Sequence, residues 1–172
     1  DKTKMDKAIN LYSLSLRDYK SYIYAGAFVI GNILLPQLCH LVPNGGLIIL
    51  PIYFFTLIAA YKYGWRVGIL CGVASPIINH LLFGMPSAAV LPIILIKSTL
   101  LVAVASYIAH KTQRVSIALL ATVVFFYQIV GSLIEWAMVK DFAVAMQDFR
   151  MGILGMHIQF IGGFYLLKFL KK

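Results

Sequence analysis

The chain has 172 residues, of which 61% are hydrophobic and only 12% charged, with a formal net charge of +9 and a mean hydropathy of +0.87. A soluble domain carries about 25% charged residues, so this composition excludes an ordinary soluble enzyme and places the chain among integral membrane proteins. The basic excess sits in tails and short linkers, which reads as membrane topology rather than as nucleic-acid binding.

Asp1 to Lys20 is a polar, basic tail with Lys2, Lys4, Lys7, Arg17 and Lys20. Its polarity argues against a signal peptide at this end. Leu11, Leu14 and Leu16 could make a short interfacial helix for docking, but a simple basic anchor is the favoured reading of the segment. Six apolar segments follow, at about 22–38, 47–60, 67–83, 90–108, 116–138 and 151–167. A membrane helix needs about 20 residues, so six helices with short loops nearly fill the chain as a single transmembrane domain. Basic linkers at 61–66 and 110–114 and the basic ends at 1–20 and 168–172 alternate with the 39–46 and 84–89 loops, which carry no Lys or Arg. In the 139–150 loop, Lys140 and Arg150 are offset by Asp141 and Asp148. This alternation predicts an all-α integral membrane protein with six crossings and both termini in the cytoplasm. Cys39 and Cys71 fall on different helices at opposite depths, which points to neither a disulfide nor a metal site.

Polar groups in hydrocarbon are costly and face a cavity or a partner, so their depth is informative. Asn32, Asn79, His80, Lys97, Gln128, Ser132, Glu135, His157 and Gln159 all fall in the outer halves of their helices. The inner halves hold small hydroxyls such as Thr56, Ser106 and Thr122. A channel or proton path would need polar groups through the whole thickness. The distribution instead describes a cup open outside and sealed below, suited to a small polar solute. Gln128, Ser132 and Glu135 stand at i, i+4 and i+7 and share a helix face, and Trp136 beside them could stack on a planar ring. Lys97 and Glu135 sit at similar depth, either as an ion pair or as two ends of a ligand site. Lys97, His80 and His157 suit a carboxylate or phosphate; Glu135 and Trp136 suit a cationic or aromatic ring. His80 lies beside the Gly84-Met85-Pro86 turn, a candidate lid. Small-xxx-small pairs at Ala27/Gly31 and Gly68/Gly72 allow close helix approach, within the chain or toward a partner.

These residues resemble the substrate-binding S component of energy-coupling factor transporters. The resemblance rests on the six segments, the outer cup, Ala27-Phe28-Val29-Ile30-Gly31, the run from Leu50 to Gly68, and Ser75-Pro76-Ile77-Ile78-Asn79-His80. In that family the first small pair is usually Ala-xxx-Ala, whereas here Gly31 holds the second position. The resemblance implies a bacterial or archaeal cytoplasmic-membrane subunit that binds a vitamin-like micronutrient. It also implies that Ala27 and Gly31 face a transmembrane coupling protein, itself driven by two ATP-binding subunits. No Gly-x-x-x-x-Gly-Lys phosphate loop is present, so ATP hydrolysis falls to partners, and no cofactor is expected. Three rivals stand beside this reading: a small membrane enzyme using Glu135 and His157, an assembly scaffold, and a solitary transporter.

Overall fold

The computed structural model describes residues 11–170, in which every regular element is helical. Lys2, Lys4, Lys7, Lys171 and Lys172, counted above with the basic ends, lie outside the described residues. Four helices are long and apolar enough to cross a membrane: α1 (Tyr19–Cys39), α4 (Trp65–Phe83), α5 (Leu91–Thr112) and α6 (Ile117–Val139). At 1.5 Å per residue the shortest, of 19 residues, reaches about 28 Å, close to the thickness of a bilayer core.

The other two predicted crossings are interrupted. The second comprises α2 (Gly45–Ile49), a 3-10 turn (Pro51–Tyr53) and α3 (Phe54–Tyr63). Pro51 is the cause: its ring disfavours helical geometry at the residue before it, and Leu50 takes the left-handed conformation at φ 50°, ψ 50°. The last apolar helix, Ile153–Phe169, consists of α9 (Ile153–His157), a π-helical stretch (Ile158–Gly162) and α10 (Gly163–Phe169). Between α6 and α9 the expected loop contains two short helices, α7 (Phe142–Ala145) and α8 (Gln147–Met151). Asp141 caps the first of these, accepting from the amides of Ala143 and Val144, which satisfies donors the helix itself cannot.

Leu11 to Ser15 is not helical. It runs against the end of α3, where Tyr12 N donates to Lys62 O at 2.7 Å and Leu14 N to Tyr63 O at 3.2 Å. Gly64 makes this possible. Its φ is +94°, and a Cβ there would come 3.0 Å from the Ser13 Cα, so the turn into α4 tolerates only glycine.

The core forms around α3, whose Leu57, Ile58, Ala59 and Ala60 are fully buried. Leu101 and Ala105 of α5, Leu120, Val123 and Val124 of α6, and Leu167 of α10 pack about it. Gly68 and Gly72 of α4 belong to this interior: a Cβ on Gly68 would meet Ala60 at 2.6 Å, and one on Gly72 would meet Thr56 at 3.1 Å. This small-residue face is therefore an internal seam. Gly31 of α1 likewise meets the Phe55 ring, at 2.8 Å from an added Cβ, whereas Ala27 is exposed. Around the outside, Ile23, Ile30, Leu34, Phe126, Ile129 and Leu133 are all about half or more exposed, an apolar belt of the kind that lipid covers. One end of the bundle carries Arg17, Lys20, Lys62, Arg66, Lys111, Arg114 and Lys168. The other carries Glu135, Lys140, Asp141, Asp148 and Arg150.

Candidate functional site

Lys97 lies six residues into α5, about 9 Å along its axis. Its side chain is only 3% exposed, and its stem packs against the backbone of α6 at Gly131, where a Cβ would come 2.6 Å from Lys97 Cγ. The glycine leaves the lane through which the ammonium reaches two carboxylates. Nζ donates to Glu135 Oε2 at 2.8 Å and to Asp148 Oδ2 at 3.0 Å. The acids are 13% and 15% exposed. One cation thus joins α5 to α6 and to α8, and two acids face it.

Beneath this ion network is a layer of polar aromatic and amide groups. Tyr53, 3% exposed, tilts against Tyr127 with ring centroids 5.4 Å apart. Tyr127 donates its hydroxyl proton to Gln159 Oε1, and Gln128 Nε2 donates to Tyr127 Oη at 3.1 Å. Gln159 Nε2 points to the Leu50 carbonyl at 3.5 Å, so the broken second segment is tied to the last helix here. Gln128 Oε1 and Ser132 Oγ are buried with no hydrogen-bond partner among the described residues. An unpaired buried polar atom costs about 1–3 kcal/mol. Beside Ser132, between α6 and the α7–α8 segment, is an apolar recess of about 250 Å³ walled by Ile129, Leu133, Trp136, Phe142, Met146 and Phe149, which opens toward the apolar belt.

The predicted site residues separate into distinct groups. Lys97, Gln128, Ser132, Glu135 and Gln159 come together, with Trp136 at the rim. Asn32 does not join them. It is the hub of a second, fully buried cluster, donating to Thr56 Oγ1 at 3.0 Å and Ser75 Oγ at 3.1 Å and accepting from Phe55 N at 3.2 Å. Asn79 belongs with it, donating to the carbonyls of Asn32 and Ser75. His80 ties the turn after α4, with Nδ1 2.7 Å from the Pro86 carbonyl oxygen. His157 is exposed on the far side of its helix, where its Nδ1 donates to the Ile153 carbonyl. Asp148, Tyr53 and Tyr127 are the additions that sequence reasoning did not single out. With only six acidic residues in the chain, any acid at the outer face was a signal for Asp148; for the tyrosines, general enrichment at interfaces concealed theirs.

No family model, characterised protein or solved structure matches this chain. The functional reading therefore stands on the residues: a buried cation shared by two acids, adjoining unpartnered amide and hydroxyl oxygens, roofed by short helices and floored by a tightly packed apolar core.

Proposed function

We propose that the chain is the membrane-embedded binding subunit of a micronutrient uptake system in a bacterial or archaeal cytoplasmic membrane. The observation that carries this is the grouping of Lys97, Glu135 and Asp148 with the unpartnered Gln128 Oε1 and Ser132 Oγ at one end of the bundle. Buried charges in hydrocarbon are expensive, and where they persist they mark a functional site. The Asn32 cluster is neutral and leaves one acceptor open, Asn79 Oδ1, whereas this site leaves two open and adds three charges. Below the site, Leu57, Leu101, Leu120 and Val124 are fully buried, which opposes a continuous polar path and favours binding over conduction. Delivery to the interior then falls to partners, as the resemblance to energy-coupling factor S components implies: a transmembrane coupling protein and two ATP-binding subunits. Ala27, exposed on α1, is the residue of the first small pair that such a partner can reach.

The test is thermal unfolding of the purified protein in detergent against a panel of vitamins and their precursors. A ligand that binds only the folded state adds about 2.7 kcal/mol at one hundred times its dissociation constant, an unmistakable shift. One or a few related hits are expected. A flat response across the panel, with folded protein verified by circular dichroism, would overturn the solute-binding reading and favour an assembly scaffold.

A further inference from the structure

The charges in the site do not balance. Lys97 supplies one positive charge, and Glu135 and Asp148 supply two negative ones. Among the described residues, Lys97 is the only salt-bridge partner of either acid. The cations nearest in sequence turn elsewhere: Arg150 donates to the Ala143 carbonyl, and Lys140 is exposed. Each carboxylate spends one oxygen on Lys97, leaving Glu135 Oε1 and Asp148 Oδ1 with no hydrogen bond from a described residue. The open atoms on the same face of α6 have the same polarity. Gln128 Oε1 is an acceptor only, and Ser132 Oγ can accept.

We propose that this site takes a small organic cation with N–H donors, such as an ammonium, an amidinium or a protonated ring nitrogen, held between Glu135 and Asp148. The proposal rests on the solute-binding reading of the same site and adds the ligand's charge. A second cation between the acids is attracted by their net negative charge, whereas an anion there faces repulsion that Lys97 alone does not offset.

The experiment uses three near-isosteric probes, benzamidine, benzamide and benzoate, titrated into the purified full chain in neutral detergent and followed by ligand-observed NMR and thermal unfolding. Benzamidine should bind at least tenfold tighter than benzamide, with benzoate weakest. Glu135→Gln and Asp148→Asn, which each leave Lys97 an acidic partner, should each weaken benzamidine at least tenfold. Benzoate binding as tightly as benzamidine would overturn the cation preference and leave the solute-binding reading intact. Benzamidine binding unchanged in both variants would overturn the assignment of the acids. Failure of all three probes, together with a flat vitamin panel, would remove both readings.

Discussion

At Lys97, Glu135 and Asp148 the uneven charge count makes substitutions unequal in a way that a simple ion pair would not. Removing one member of a buried pair costs about 3–5 kcal/mol because the partner's charge is left uncompensated. Lys97→Met leaves two facing carboxylates, so a loss of that size is expected in thermal or denaturant unfolding. Glu135→Gln still leaves Lys97 bonded to Asp148, so its cost should be about 1–3 kcal/mol, nearer that of one charged hydrogen bond. Equal losses from the two variants would refute the three-membered arrangement. Asn32→Ala makes the contrasting case. It removes the bonds to Thr56, Ser75 and Phe55 N and should cost about 2–4 kcal/mol, while the fraction that remains folded binds ligand with unchanged affinity. Depth along a helix was legible in the sequence, which is why Lys97 and Glu135 could be matched before any packing was known. Facing was not. His157 and Gln159 share a depth, but two residues turn a helix by about 200°, so only one can look inward. Packing against Leu50 and Tyr127 selects Gln159.

At the scale of elements, the four long helices were legible because an unbroken apolar run of the right length has few other readings. The interruption at Leu50 was hidden by the same apolar composition, although Pro51 is its direct physical cause. Asp148 was read as loop because the segment between α6 and α9 has no sustained periodicity, and its two short helices depend on caps and on contact with the bundle. The small-xxx-small reading of α1 divides once packing is known. Gly31→Leu forces the Phe55 ring aside and is expected to cost about 1–3 kcal/mol. Ala27→Leu projects outward, and should leave unfolding and ligand binding unchanged while reducing uptake in cells that carry the coupling partners. Normal uptake by Ala27→Leu would make that face a lipid contact. The helix ends offer a further test. Gln113 closes α5 in the left-handed conformation at φ 51° and is exposed. Gln113→Gly should therefore stabilise the protein by about 0.5–1 kcal/mol, read as a rise in the unfolding midpoint.

For the whole molecule, the proposed orientation rests on how charge is divided between the two ends of the bundle. The end built from the starts of α1, α4 and α6 and the close of α5 carries Arg17, Lys20, Arg66, Lys111 and Arg114, with Lys62 and Lys168 beside them and Asp18 as its one acid among the described residues. At the opposite end Lys140 and Arg150 are accompanied by Asp141 and Asp148. Short loops rich in Lys and Arg stay on the cytoplasmic side, so the proposed uptake role predicts that the Lys97 site faces the exterior. Labelling by a membrane-impermeant maleimide tests this directly. Cys39 and Cys71 are 7% and 0% exposed, so the native cysteines contribute little background and single cysteines can be added to the unaltered chain. Ser87→Cys, in the exposed turn after α4, should label in intact cells. Gln113→Cys, at the basic end, should label only after the membrane is permeabilised. The reverse pattern would put the acidic site on the cytoplasmic side. The same residues would then be better placed to release a solute or hold a cytoplasmic partner than to capture anything from outside.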